Sequence, residues 1–145
     1  MTLEGMVPFP PDFAEEYRKA GYWKDVPLGT FFAGVFAKYA ERVAVVSGAE
    51  KISYREVGER VERLALHLHR IGLRPLDRVV VQLPNVPEFV YLYFALQRVG
   101  AIPLMALPAH RYLEISSFVE LTGAVAYVIP DRLGDTDLVA LAARV

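Results

Sequence analysis

The spacing of apolar residues switches between helical and strand-like along the chain, and this alternation is the main clue to the fold. The clearest helix follows Ser53, where six apolar residues recur every three or four positions and form one stripe. They are Tyr54, Val57, Val61, Leu64, Leu68 and Ile71. Ser53 and Glu56 have the spacing of a capping box, and Gly72 suits a left-handed helix end.

The second half of the chain alternates short apolar runs with helical patterns. Strands are predicted at 78–83, 102–107 and 124–129, and helices at 86–99 and about 111–121. Such runs are typical of strands covered on both faces, and short links between strands and helices indicate right-handed βαβ units. The predicted fold class is therefore α/β, with βαβ units around a mainly parallel sheet.

Helix ends in this half carry recognisable signals. Asn85 with Glu88 predicts a capping-box-like start, and Pro87 fits the first turn. Gly100 and Gly123 are placed to end the two helices. The wide apolar face of 86–99 predicts a helix packed on more than one side. In the helix at about 111–121, the core candidates are Leu113, Phe118 and Leu121. In the strand at 102–107, Pro103 predicts a strand start or an edge strand.

The first half predicts a leader, a helix and a hairpin before the long helix. A short helix from Phe13 to Ala20 lies in an otherwise irregular leader, and Thr30 is the predicted N-cap of a helix reaching Arg42. The following runs, 43–48 and 51–54, read as a hairpin. We interpret the 145 residues as a single α/β subdomain with three segments, 1–29, 30–77 and 78–145. The helical pattern from 137 onward stops without a cap, which suggests a cut chain.

Composition excludes several classes of function. The net charge of −1 gives no basic footprint for nucleic acid, and the absence of cysteine excludes disulfides and thiolate metal sites. No basic and apolar signal segment opens the chain, and the longest apolar run, Phe89 to Leu96, is too short to span a membrane. We therefore expect a cytoplasmic protein that does not engage a membrane.

Motifs that would carry chemistry are absent or weak. There is no G-x-G, no Walker A loop and no G-x-S-x-G elbow. His67 and His69 point in different directions on a helix, so they are read as surface residues. His110 follows a strand end, where ligands bind in α/β folds, although a hydrogen bond within its turn is the preferred interpretation. Asp131 is read as a turn residue. No catalytic, cofactor-binding, substrate-binding or metal residue is assigned.

Several segments resemble the first subdomain of the adenylate-forming enzymes. The superfamily is suggested by 83–89, by 94–103 and by the helix start at 53–57. Three others, 9–14, 17–23 and the Leu-Pro-Ala-His-Arg sequence at 107–111, resemble the branch that contains 2,3-dihydroxybenzoate–AMP and salicylate–AMP ligases. The resemblance covers the chain from about residue 8. It implies the first subdomain of the acetyl-CoA synthetase-like fold.

The resemblance also implies a parent activity. Such enzymes use ATP and Mg²⁺ to form an aryl adenylate and load a phosphopantetheinyl carrier protein in siderophore biosynthesis. Their Gly-rich loop ending in Gly-x-Pro-Lys is missing here, so we expect this fragment to be an inactive scaffold without a bound cofactor. The alternatives are part of an acyl- or aryl-CoA synthetase, or a non-catalytic α/β interaction module. Apolar faces at 31–39 and 86–99 are expected to cause self-association.

Overall fold

A computed structural model describes residues 6–145, so the first five residues of the predicted leader lie outside the described range. The helices are α1 Pro11–Lys19, α2 Leu28–Lys38, α3 Tyr54–Arg70, α4 Pro87–Val99, α5 Tyr112–Thr122 and α6 Leu138–Ala142. The strands are β1 Val43–Ser47, β2 Glu50–Ser53, β3 Arg78–Val81, β4 Ile102–Met105, β5 Ala126–Val128, β6 Arg132–Leu133 and β7 Thr136–Asp137. The α/β fold is the predicted one.

The leader is held together by aromatic rings. The Phe9 ring lies 4.9 Å from that of Trp23 and 5.8 Å from that of Tyr17, measured between centroids. Its helix α1 begins at Pro11, two residues before the predicted start, because Pro11 at the first position needs no hydrogen-bond acceptor for its nitrogen. The leader thus forms a small aromatic cluster on the surface.

Helix α2 starts earlier than the sequence suggested, so the prediction that Thr30 caps it is wrong. The helix begins at Leu28, directly after Pro27 in an extended conformation, and no side chain caps it. The Thr30 N–H already donates to the Pro27 carbonyl at 3.0 Å, which places Thr30 within the first turn. The hairpin that follows is confirmed, since β1 and β2 pair antiparallel.

Helix α3 has the predicted capping box. The Glu56 N–H donates to Ser53 Oγ at 3.2 Å, and the Ser53 N–H donates to Glu56 Oε2 at 2.7 Å. At the other end, Gly72 has a φ of +113°. One predicted core residue is wrong: Ile71 is 67% exposed, whereas Ala65 is buried. Ile71 is the C-cap, so it lies where the stripe has already left the core.

The central sheet is parallel and has the order β4-β3-β5. From β3 the chain moves to one side to form β4, then returns across β3 to form β5. Because both crossovers are right-handed by the general rule, α4 and α5 lie on opposite faces of the sheet. The two cores agree with this arrangement, since Val79 and Val81 pack with α3 and α4, while Val80 packs with α5 and α6.

Helix α4 packs against both α3 and α2, as its wide apolar face predicted. The Phe94 ring centroid lies 4.7 Å from that of Phe32 and 5.2 Å from that of Phe36, so α2 rests on α4. The predicted N-cap is wrong: Val86 occupies the cap position and Asn85 makes no cap bond, because Pro87 fixes the first helical position one residue later. The β4 strand with its proline is an edge strand, as expected.

Two of the three core residues predicted for α5 are wrong, and the third, Phe118, is confirmed. Leu113 and Leu121 are 76% and 82% exposed, whereas Ile115 is fully buried and Phe118 packs beside it. Only one face of α5 meets the sheet, and sequence spacing did not reveal which. After β5 the chain forms the hairpin β6–β7, which was not predicted. Helix α6 then begins after Asp137, whose Oδ1 accepts from the Ala140 N–H at 2.9 Å.

Candidate functional site

The carboxyl ends of β3 and β4 form the position where α/β folds usually bind ligands. The segments leaving these two strands, 82–86 and 106–111, run to helices on opposite faces of the sheet. This reversal is a topological switch point, the position at which α/β folds usually form a ligand crevice beyond the strand ends. The groups that occupy this position therefore decide whether a ligand could enter it.

Gln82 occupies this position with its own side chain. It is fully buried, and its Nε2 donates to the Leu107 carbonyl at 2.8 Å and to the His110 carbonyl at 3.0 Å. Its Oε1 accepts from the Tyr127 hydroxyl of β5. The amide orientation follows from chemistry, because only an NH₂ group can face two carbonyl oxygens. The side chain thus joins the ends of all three strands.

His110 makes the turn hydrogen bond that the sequence favoured. Its Nδ1 accepts from the Leu107 N–H at 3.1 Å, and its own N–H donates to the Leu107 carbonyl at 3.0 Å. The ring packs against Phe118, with centroids 5.3 Å apart. Because Nδ1 is the acceptor, this arrangement requires a neutral imidazole with its proton on Nε2. The ring caps a backbone donor at the sheet edge.

Arg111 braces the same turn from outside. Its Nη1 donates to the Pro108 and His110 carbonyls, both at 2.8 Å, and its Nη2 reaches Thr136 Oγ1 on β7 at 3.1 Å. The Arg111 N–H donates to Glu114 Oε2 at 2.9 Å, and this bond is the main cause that lowers the pKa of the Glu114 carboxyl. Every one of these polar groups is engaged in holding the turn.

Tyr127 lies on β5 beside Gln82, and the pKa of its phenol is shifted. Burial raises the pKa of its phenol, and the nearby Arg111 guanidinium opposes that effect. The hydroxyl is therefore neutral at ordinary pH and donates to Gln82. Sequence reasoning missed both Gln82 and Tyr127. The only available signal was a glutamine closing an apolar strand, and its partners lie 25 to 45 residues away.

Elsewhere in residues 6–145 the surface offers little for catalysis. His67 and His69 are exposed on α3, and no group of three metal-ligating side chains occurs in the described range. A groove of about 810 Å³ lies between α2 and α3, with Phe36 and Gly58 on its floor and charged side chains at its rim. Asp131 is an exposed turn residue whose carbonyl accepts from the Leu138 N–H. Within the same range, no helix is both long and apolar enough to cross a bilayer.

Comparison with known proteins identifies the family. The family profile described as "AMP-binding enzyme" matches residues 32–144. The chain belongs to the AMP-binding enzyme family. Triostin synthetase I of Streptomyces triostinicus is 49% identical over 99% of this chain and 27% of that protein. The 2,3-dihydroxybenzoate-AMP ligase of Bacillus subtilis is 45% identical over 99% of this chain and 26% of that protein. The chain spans about a quarter of the length of these relatives.

The fold of this AMP-binding family member also matches a solved relative. The apo structure of MbtA from Mycobacterium smegmatis has a TM-score of 0.79 and 40% sequence identity, covering 85% of this chain and 23% of that chain. The expected subdomain of the adenylate-forming fold is thereby confirmed.

Proposed function

We propose that this chain is the N-terminal, scaffolding part of an aryl-acid:AMP ligase that activates 2,3-dihydroxybenzoate or salicylate for siderophore biosynthesis. The observation that carries the proposal is the 45% identity to a 2,3-dihydroxybenzoate-AMP ligase over 99% of the chain. In the proposed reaction the aryl carboxylate attacks the α-phosphorus of ATP, forming an aryl adenylate and releasing pyrophosphate. The acyl group of the adenylate then passes to the phosphopantetheine thiol of a carrier protein as a thioester, and AMP leaves.

We expect the described residues to supply no binding site for the triphosphate or for Mg²⁺. There is no Gly-rich phosphate loop in the sequence, and no cluster of metal-ligating side chains occurs among residues 6–145. The role that remains for this part is structural: the carboxyl edge of the sheet forms part of one wall of the substrate cleft. Gln82 and Arg111 would keep that wall fixed through the turn that they hold.

A chimaera tests the proposal directly. The chain would replace the corresponding quarter of the Bacillus subtilis ligase, and ATP–pyrophosphate exchange would be measured with 2,3-dihydroxybenzoate, salicylate and acetate. We expect exchange that depends on an aryl acid, and no exchange from the isolated 145-residue chain. Aryl-dependent exchange by the isolated chain, or an inactive yet folded chimaera, would contradict the proposal.

The same chimaera separates the alternative acceptors. An assay that offers CoA and a phosphopantetheinyl carrier protein side by side reports which thiol receives the acyl group. Transfer to CoA alone would favour the acyl- or aryl-CoA synthetase reading. A folded chimaera that is inactive with every acid would favour a non-catalytic interaction module.

Location and association complete the proposal. A reaction that consumes ATP, in a chain without cysteine, fits the cytoplasm, and the net charge of −1 argues against nucleic acid as a partner. Phe32 of α2 and Phe94 of α4 cover part of the two faces expected to drive self-association, so we place the association on exposed Leu107, Leu113, Leu121 and Val125. Light scattering should show a monomer for Leu113→Ser/Leu121→Ser and larger species for the parent. A monomeric parent at high concentration would refute this.

A further inference from the structure

We infer that Gln82 is a positioning residue that holds the β4–α5 turn, residues 106–111, in one place against the end of β3. Its Nε2 donates to two carbonyls of that turn, and its Oε1 accepts from Tyr127 on the opposite neighbouring strand. The claim about the turn stands on this geometry alone. The claim that the turn's position affects an enzymatic rate rests on the proposed function.

Packing alone does not favour a glutamine at this place. Gln82 is the one buried polar side chain found in residues 6–145, and it is fully buried. Burying an amide gains little stability compared with an apolar side chain of the same volume, even when every hydrogen bond is made. What the amide adds is direction, because two donors and one acceptor fit only one arrangement of three chain segments.

The remaining bonds of the turn show why Gln82 matters. The His110 ring, the His110 N–H and Arg111 Nη1 all bond to atoms within the turn itself. They fix its internal shape and leave its placement on the sheet open. Besides Gln82, a bond from the Ala106 N–H to the Val81 carbonyl ties the turn to β3 at 2.9 Å. That bond lies at the start of the turn. At the far end, Arg111 Nη2 reaches Thr136 Oγ1 on β7, outside the central sheet, so Gln82 is the side chain that anchors this end to β3.

Gln82→Met is the informative variant. It keeps the length and unbranched shape of the side chain but removes its donors and acceptor. The two turn carbonyls keep other donors, since Leu107 accepts from the His110 N–H and His110 accepts from Arg111. The fold should therefore survive while the turn loosens. In native-state hydrogen exchange of the 145-residue chain, we expect the Leu107 and His110 amides to exchange about 30-fold faster relative to β3 amides, the factor supplied by two ordinary hydrogen bonds.

Val61→Ala is the matched control. Val61 is buried in the core that contains α3 and α4, and no residue of the 106–111 turn belongs to that core. It should speed exchange at turn and strand amides by a similar factor. If Gln82→Met shows that uniform pattern, or no change at the turn, the inference is overturned. Tyr127→Phe covers the case in which Gln82→Met does not fold. It frees the Gln82 oxygen and should speed turn exchange several-fold, and unchanged turn exchange would overturn the inference.

The enzymatic half is tested in the active chimaera. Gln82→Met should lower kcat/KM for the aryl acid or ATP about tenfold, while Val61→Ala, with a comparable loss of thermal stability, should leave kcat/KM near the parent value. Equal kcat/KM in the two variants would refute the claim that the position of the turn affects the enzymatic rate. An inactive chimaera would refute the proposed function, and the exchange experiment would still decide the role of Gln82 in the turn.

Discussion

Replacing Gly29 with alanine tests how closely α2 and α4 approach each other. Gly29 is buried in the first turn of α2, against the last turn of α4. A Cβ added there would lie 2.6 Å from the Gln97 carbonyl oxygen and 2.7 Å from the Arg98 Cα. Both are backbone atoms, so no side-chain rotation can relieve the overlap.

The size of the effect follows from these distances. Real Cβ atoms essentially never come closer than 3.0 Å to another heavy atom, so the helices must separate by about 0.4 Å or more at this point. Overpacking costs typically about 1–3 kcal/mol, and we expect the upper end because the obstruction is backbone. In the same helix, a Cβ at Gly34 meets open space. Gly34→Ala should therefore gain up to about 1 kcal/mol from helix propensity.

Urea unfolding at 25 °C measures both variants. With a slope of about 2 kcal/mol per molar urea, Gly29→Ala should lower the midpoint by about 1.5 M, and Gly34→Ala should raise it by up to about 0.5 M. The opposite signs within one helix separate close packing from helix propensity. A Gly29→Ala protein as stable as the parent would refute the described contact between α2 and α4.

Three further tests, with four substitutions, probe the core, a cap and a helix end. Ile115→Ala should cost about 3 kcal/mol in urea unfolding, whereas Leu113→Ala should stay within about 0.5 kcal/mol; the reverse order would mean that α5 faces the other way. Hydrogen bonds from Ser53 hold the pKa of Glu56 below its usual 4.5, so its contribution is complete above that pH and is lost as pH falls through the lower folded pKa. The stability difference between the parent and Glu56→Gln should therefore shrink from pH 7 to pH 3, and a constant difference would contradict the cap. Gly100→Ala should cost about 1–2 kcal/mol, since φ is +84°, and a neutral effect would exclude the left-handed end.

Local signals predicted helix ends well. Gly72, Gly100 and Gly123 all have positive φ at the positions where the sequence ended α3, α4 and α5. A glycine after an apolar stripe acts through its own backbone freedom and needs no distant partner. The Ser53–Glu56 capping box succeeded for the same reason, because both partners lie within one turn.

Helix starts next to proline were less predictable. Thr30 and Asn85 have good capping side chains, yet Pro27 and Pro87 determined where α2 and α4 begin. The face of α5 was also ambiguous, since Leu113 and Ile115 are both apolar and only the sheet decides between them. The hairpin β6–β7 turns at Gly134, which has a φ of +58°. A two-residue turn that contains glycine is typical of hairpins, but strands of two residues are too short to show a sequence pattern.

The candidate site was the least predictable part, because its parts are distant in sequence. His110 was correctly expected to hydrogen-bond within its turn, since its partner Leu107 is three residues away. The role of Gln82 depends on Leu107, His110 and Tyr127, between 25 and 45 residues further along. No local pattern in β3 encodes those contacts, and only the strand order brings them together.

The strand order also sets a sequence of events during protein synthesis. The central strand β3 leaves the ribosome before either of its neighbours, and β5 follows only after α4, β4 and α5 have been made. Until α5 and α6 have been made, Val80 lacks the covering that these helices provide in the finished structure. We expect a nascent chain that ends before residue 112 to expose this side of β3 and to depend on chaperones, whereas the packing among α2, α3 and α4 is already available to it.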